Sequence, residues 1–426
     1  MALHAVSPAT APLGGRSRVP ASKSLAQRAL VLAVLAEGRS EVVAEGPASE
    51  DVVRLAGALT DLTGAHVPPS GGIDGAFGPR GLGADLVSRR LDLGMNGTGF
   101  RFAVALAALR PAGARTLVTG APRLLARPHA PLLRALHRLG AHVLRRGSGA
   151  VRVLGGAWTA HEVAVPADVS SQFASALLLV APRAGGLTLR LVGEAVSDAY
   201  TKLTVATMAR FGVAVTHEGS TWTVAPGAPR AARLVVEADA SSAAVWWAAA
   251  ARAGGHVVVE GLPADSAQPD LALLEVLSRM GATVRRTDDG LVRVEGAGGP
   301  LRAAGDVDLR DTPDLAPLVA ALAADAEGET RIVRAPHLRW KESDRIATIV
   351  AAVRAVGGDA EARDDGLVVR GRALAGGHVS VRGDHRIALA FGALGLAVPG
   401  VVLEGAEAVS KSWPGFLEEL ALRGRA

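Results

Sequence analysis

The strongest constraint on this chain is that it repeats itself. One pattern recurs six times: a Val-rich run, Gly or Ala, a short polar loop, an amphipathic helical stretch, Gly, and another Val-rich run. The copies begin EVVAEGPASEDVV, TLVTGAPRLLARPHAPLL, LRLVGEAVSDAYTKLT, HVVVEGLPADSAQPDLA, RIVRAPHLRWKESDRIA and VVLEGAEAVSKSWPGFL. Their spacing is about 70 residues, too long for a solenoid repeat. The short Val-rich runs read as strands. Leu132, Leu133, Leu136 and Leu139 recur at helical spacing, and Gly140, Gly212 and Gly281 read as C-terminal caps.

A second helix belongs to each copy. Its starts read PASKSLAQRAL, LGMNGTGFRFA, PADVSSQFASA, EADASSAAVWW, LRDTPDLAPLV and RGDHRIALAFG. Each opens with Ser, Asp, Asn or Thr, the residues expected at N-caps. The bodies are Ala- and Leu-rich and apolar nearly all round, which predicts burial. The sequence therefore predicts an α/β protein of six modules, with buried helices walled by short sheets. Six modules suit two domains of three, the second starting near Asp239.

Composition narrows the function. Hydrophobic residues make up 49% of the 426 and charged residues 20%, so extended disorder is not expected. There is no cysteine, which excludes disulfides, thiolate metal sites and a thiol nucleophile. The longest apolar runs, SALLLVAP and AAVWWAAAARAGG, are too short for a bilayer, and the first residues lack a signal-like apolar core. The expectation is a soluble cytoplasmic protein with no membrane partner. The net charge of +5 fits either nucleic acid or small anionic substrates, and aromatics at only 3% argue against base stacking. No nucleic-acid partner is expected.

The lysines are few: Lys23, Lys202, Lys341 and Lys411 among 46 strong bases. Where arginine is the default, a retained lysine suggests a need for a compact ammonium; chance survival on the surface is the plain alternative. Polar residues collect at the helix starts. The buried helices open with Lys23, Ser24 and Arg28; Asn96, Gly97 and Thr98; Ser170, Ser171 and Gln172; Asp239, Ser241 and Ser242; Asp314; and Asp384, His385 and Arg386. Loops ahead of the amphipathic helices add Asp51, Arg127, Ser197, Tyr200, Lys341, Glu342, Arg345 and Lys411. Helix N-termini attract anions. Seven cations in one cleft (Lys23, Arg28, Arg127, Lys341, Arg345, Arg386 and Lys411) would repel one another if unpaired, so the pattern predicts small, multiply anionic ligands. Taken singly, each residue also reads as an ordinary cap or a solvated charge; Asp314 alone is readily a cap.

In this order, PASKSLAQRAL, LGMNGTGFR, PRLLARP, DVSSQFASALL, EAVSDAY, EADASSA, DTPDL, LRWKESDRIA, GDHRIALA and SKSWP resemble the 5-enolpyruvylshikimate-3-phosphate synthase family of enolpyruvyl transferases. The motifs run from Pro20 to Pro414, essentially the whole chain. The resemblance implies a two-domain fold of six βαβαββ repeats, three per domain. Residues 21–236 would form a continuous domain, and residues 1–20 plus 237–426 a discontinuous one. The buried helices would converge on an interdomain cleft that closes around the substrates. The implied reaction transfers the enolpyruvyl group of phosphoenolpyruvate to the 5-hydroxyl of shikimate-3-phosphate and releases phosphate. No metal or organic cofactor is implied, and a monomer is expected.

The resemblance also implies roles by position. Lys23, Ser24, Arg28, Ser170, Ser171, Gln172, Ser197, Tyr200, Asp314, His337 and Lys341 would hold shikimate-3-phosphate. Lys23, Gly97, Arg127, Gln172, Arg345, His385, Arg386 and Lys411 would hold phosphoenolpyruvate. Lys23, Asp314 and Glu342 would be catalytic, with Asp314 taking the hydroxyl proton and Glu342 serving the methylene carbon. Four positions depart from the family pattern. Met95 and Asn96 precede Gly97 where Asn and a small residue are usual, His337 stands where Asn is common, and Phe102 follows Arg101 where Pro or Leu is common. These leave open a specialised paralogue acting on a related acceptor. The related transferase acting on UDP-N-acetylglucosamine would want a cysteine acid, which is missing here. A non-catalytic paralogue and a basic nucleic-acid-binding protein are the remaining alternatives.

Overall fold

A computed structural model describes residues 2–83 and 85–425. Residue packing divides the chain into two compact units, Met1–Pro20 with Glu237–Ala426, and Ala21–Val236. Each has its own apolar core.

Each unit holds three main sheets. In the sheet built from Arg89–Asp92, Arg115–Thr119, Val151–Leu154 and His142–Arg145, the first two strands run parallel and the other contacts are antiparallel. The strands Glu162–Pro166, Leu187–Val192, Thr221–Val224 and Val215–Glu218 repeat that order, as do Gly305–Asp308, Glu329–Val333, Gly366–Arg370 and Asp359–Arg363. A parallel pair needs a crossover, and the buried helix supplies it. The following strands form a hairpin after the amphipathic helix. Together these elements are the βαβαββ repeat.

Two copies exchange their first strands. Arg16–Ser17, which leads into the first buried helix, pairs in parallel with Gly255–Val259. Arg233–Val235, which leads into the fourth, pairs in parallel with Arg39–Val43. The exchange accounts for a discontinuous unit that contains the N-terminal segment.

The six repeated helices are Lys23–Leu35, Gly97–Ala107, Gln172–Val180, Ala240–Ala253, Ala316–Ala323 and His385–Gly395. Their bodies are buried on every side, as their unbroken apolar composition predicts. Asn96, Asp239 and Asp384 accept backbone N–H groups of Gly99, Ser242 and Arg386, as expected of caps. Three starts differ from expectation. Ser22 and Ser171 make no side-chain cap, and the fifth helix is led in by a tight 3-10 turn at Pro313–Leu315. At the third start the accepting hydroxyl is instead that of Ser170, from Gln172 N–H. Among the described residues no helix is long and apolar enough to cross a membrane.

Candidate functional site

In the unit Ala21–Val236, the first buried helix carries Lys23 at its first turn. Its Nζ lies 3.2 Å from Asp51 Oδ2. Further along the same helix, Arg28 is buried and makes no carboxylate contact among the described residues. Its nitrogens donate to Thr204 Oγ1 (2.7 Å), Ser24 O (2.7 Å), Tyr200 O (3.1 Å) and Ser175 Oγ (3.4 Å). Burial pulls its pKa down to about 10, with Tyr200 opposing. Arg28 thus ties the first helix to the start of Asp198–Arg210, where Ser197 holds a left-handed φ of 57°. That conformation is uncommon outside glycine and fixes the loop carrying Ser197 and Tyr200.

The second buried helix begins at Gly97. Asn96 caps it and also donates to Gln27 Oε1 (2.8 Å) and Asp51 O (2.7 Å), joining it to Lys23. A Cβ on Gly97 would stand 2.7 Å from Arg127 Nη1 and 3.7 Å from Gln172 Oε1. Gly97, Arg127 and Gln172, predicted to share a ligand, therefore do lie together. Gln172 accepts from Arg101 and donates to Thr98 Oγ1 at 3.0 Å. His129 follows behind them, buried, with Nε2 2.9 Å from Leu124 O and its ring 4.5 Å from that of Phe100. Burial first, then Arg101, hold its pKa down to about 3, so it is neutral. Lys202 lies outside this group: it is exposed and pairs with Asp198 on its own helix.

In the other unit, Arg345 is the hub. It is fully buried and meets three carboxylates: Asp384 through Nε (2.9 Å) and Nη2 (3.2 Å), Asp314 through Nη1 (2.9 Å), and Glu342 through Nη2 (2.8 Å). Burial disfavours its charge, but Asp384, Asp314 and Glu342 overcome that and hold its pKa above the usual value. Arg386 Nη2 takes the second oxygen of Asp314 at 3.0 Å, and Lys411 Nζ takes the second oxygen of Glu342 at 2.5 Å. Asp384 also accepts from Ser343 Oγ and from Arg386 N–H, both at 3.1 Å. His337 and His385 are buried nearby in sequence. Burial, then Lys341 and Arg345, push the His337 pKa down to about 3.

These pairs correct one expectation. Repulsion among unpaired cations was the argument for anionic ligands; Lys23, Arg345, Arg386 and Lys411 sit on the protein's own Asp51, Asp314, Glu342 and Asp384. Such pairing removes the repulsion without a ligand. It also corrects the plain reading of Asp314 as a helix cap, since its oxygens face guanidinium groups.

Sequence reasoning gave no site role to Asp384, Asp51, Arg101 or Asp270. Asp270 is buried, accepts from Ser241 Oγ, and feels both Asp314 and Arg386. Burial, then Asp314, lift its pKa to about 6 against the opposing effects of Arg386 and Ser241. Asp51 and Asp384 had been visible at helix starts, but their partners lie 28 and 39 residues away.

Known proteins resemble this chain over nearly its whole length. A sequence profile of EPSP synthase (3-phosphoshikimate 1-carboxyvinyltransferase) matches residues 8–420. The chain is 38% identical to the 3-phosphoshikimate 1-carboxyvinyltransferase of Methanopyrus kandleri, over 95% of this chain and 94% of that one. It is 40% identical to the enzyme of the same name from Halobacterium salinarum, over 96% of each. The fold is similar to that of EPSP synthase from Acinetobacter baumannii, with a TM-score of 0.78 at 26% identity, covering 99% of this chain and 98% of that one. The enolpyruvyl transferase NikO from Streptomyces tendae shares the fold alone, with a TM-score of 0.74 at 19% identity over 100% and 97% of the two chains. The chain belongs to the EPSP synthase (3-phosphoshikimate 1-carboxyvinyltransferase) family.

Proposed function

We propose that the residues described above divide the work of the family's reaction, which is this chain's activity: transfer of the enolpyruvyl group from phosphoenolpyruvate to the 5-hydroxyl of shikimate-3-phosphate. Asp314 takes the proton of the 5-hydroxyl as its oxygen bonds to C2 of phosphoenolpyruvate. Glu342 gives a proton to C3, completing a tetrahedral adduct. Elimination reverses the second transfer: Glu342 removes a proton from the new methyl group, the C2–O bond to phosphate breaks, and the departing phosphate takes up the proton that Asp314 received, so both carboxyl groups return to their starting states.

Binding is shared out by residue type. Lys23, Ser24, Arg28, Ser170, Ser171, Gln172, Ser197, Tyr200, Asp314, His337 and Lys341 serve shikimate-3-phosphate. Lys23, Gly97, Arg127, Gln172, Arg345, His385, Arg386 and Lys411 serve phosphoenolpyruvate. Forked guanidinium groups suit planar carboxylate and phosphate. Arg28, already bonded to the Tyr200 carbonyl, positions the loop around Ser197 more than it offers a free charge. Arrival of anions would let Lys411 and Arg386 exchange protein carboxylates for ligand oxygens, releasing Glu342 and Asp314 for proton transfer.

The observation that carries this reading is one guanidinium, Arg345, orienting both proposed proton-transfer carboxylates at 2.8 and 2.9 Å. The test is phosphate release with both substrates, on the parent chain and on Lys23→Ala. Turnover that needs both substrates and is nearly lost in the variant is expected; undiminished turnover in the variant would remove Lys23 from the mechanism. The reading takes the enzyme to be a cytoplasmic monomer, and a light-scattering mass well above 43.3 kDa would refute the second part.

A further inference from the structure

The positive charge of the chain has one address. Between Asp92 and Glu162 there is no acidic residue, while ten arginines and His129, His137, His142 and His161 fall in that span. The whole chain carries only +5, so the remainder is net negative. Coding preference for arginine over lysine explains the type of base; it does not explain the missing acids.

Arg101 and Arg127 of this span belong to the site described above, and Arg110 is buried against Asp85. The others lie outside. Arg115, Arg134, Arg138, Arg146 and Arg152, with Arg90 beside them, are exposed and make no ion pair among the described residues. Sheets elsewhere in the chain ladder their outward arginines with carboxylates: Arg39 with Asp74, Arg233 with Glu41, Arg331 with Asp306, and Arg370 with Glu329. Among the described residues this sheet has no such cross-strand ladder; its Arg89 pairs with Asp85, which precedes the strand.

The unpaired arginines divide between the exposed face of this sheet, the hairpin tip at its outer strand and the helix packed against that strand. His142–Arg145 is an outer strand of its sheet. The helix Ala130–Arg138 packs on it and presents Arg134 and Arg138 one turn apart. Arg146 lies at the hairpin tip that follows. Across the sheet, Arg152 stands opposite Leu144, and Leu154 stands between Arg115 and His142. Strand alternation therefore puts Arg115, Arg152 and His142 on one face. No aromatic side chain shares it; Phe100, Phe102 and Trp158, the aromatics of the span, are buried.

We propose that this surface binds the phosphate backbone of double-stranded nucleic acid, without reading its sequence. Several unpaired, solvated guanidinium groups gathered on one sheet and its flanking helix suit a rod of regularly spaced phosphates. The lack of stacking rings argues against single strands, whose binding draws on base–aromatic contact. Binding here is additional to the transferase activity and uses none of the residues assigned to it.

The test is fluorescence anisotropy of a labelled 24-base-pair DNA duplex titrated with the full chain between 50 and 300 mM KCl. The parent is expected to bind at low salt and to weaken steeply as salt rises. The quadruple variant Arg134→Gln, Arg138→Gln, Arg146→Gln, Arg152→Gln should raise Kd at least tenfold at 100 mM KCl. It should lower the log–log salt slope by about 3.6, near 0.9 per lost phosphate contact. Its phosphate-release kinetics should match the parent, which also certifies its fold. No binding at 50 mM KCl, or an unchanged Kd in the variant, overturns the proposal. Equal or tighter binding of poly-L-glutamate would assign the surface to an acidic protein, and tighter binding of a dT24 strand would remove the duplex; either outcome overturns it as well.

Discussion

Lys411 Nζ donates to Oε1 of Glu342, while Arg345 Nη2 occupies Oε2 of the same carboxylate. Both oxygens are thus held, and the carboxylate plane is fixed before any ligand arrives. A group that must hand a proton to one carbon gains from a fixed direction. Glu342→Gln keeps the shape and most of the hydrogen bonding but cannot shuttle the proton. Its kcat for phosphate release should fall by about 10²–10⁴-fold, the usual range for a lost general acid–base group, with KM changed far less. A fall in kcat of less than threefold would take the proton transfer away from this residue.

Gly97 faces the end of Arg127. A methyl group there would meet Nη1 at 2.7 Å, closer than real Cβ atoms come without a shift, and Arg101 Nη1 at a tight 3.3 Å. Arg127 is buried and cannot swing into water freely. Gly97→Ala should therefore displace the guanidinium and raise the KM for phosphoenolpyruvate about tenfold, a cost of roughly 1.4 kcal/mol and within the range for overpacking. The KM for shikimate-3-phosphate should move much less. Steady-state kinetics with each substrate varied in turn would distinguish the two, and equal changes in both would point to a general loosening of the helix.

The modular fold was legible because two simple periodicities, strand alternation and the helical apolar repeat, recur with caps and glycines at matching offsets. Lys23, Gly97, Gln172, Arg345 and Lys411 were legible because they stand at those same offsets. Asp384 and Asp270 were not. Asp384 reads locally as a cap, and it is one; its second role depends on Arg345, 39 residues earlier, and leaves no periodic trace. Asp270 follows a proline in a turn, and only burial against Ser241 and Asp314 makes it unusual. The acid-free span from Asp92 to Glu162 was in plain view in the sequence, but net charge averages it away. Its arginines acquire meaning only when strand pairing shows which share a face and which lack a carboxylate.

Asp384 is fully buried and receives two nitrogens of Arg345, itself fully buried. Asp384→Ala would leave the guanidinium with fewer counter-charges, uncap the helix His385–Gly395 and strip Ser343 of its acceptor. Breaking a buried pair from one side typically costs about 3–5 kcal/mol. Chemical denaturation should show a loss of that order, and Asp384→Asn, which keeps the cap and one hydrogen bond, should lose less. Equal losses in the two variants would mean that charge contributes nothing there.

Asp270 makes stability depend on pH with a definite sign. Its pKa is about 6 in the folded chain, chiefly from burial and then from Asp314, against an ordinary value of 3.8. Between those values the folded state holds a proton that the unfolded state has released. Stability from this group therefore falls as pH rises from about 4 to about 6, and its contribution is level outside that window. Asp270→Asn keeps an acceptor for Ser241 and removes the titration. It should be more stable than the parent at pH 8, by about 3 kcal/mol, with the difference shrinking towards pH 4. Denaturation of both proteins at the two pH values is the measurement. A variant less stable than the parent at pH 8 and equal to it at pH 4 would show that Arg386 and Ser241 outweigh burial, so that the carboxylate is favoured as the anion.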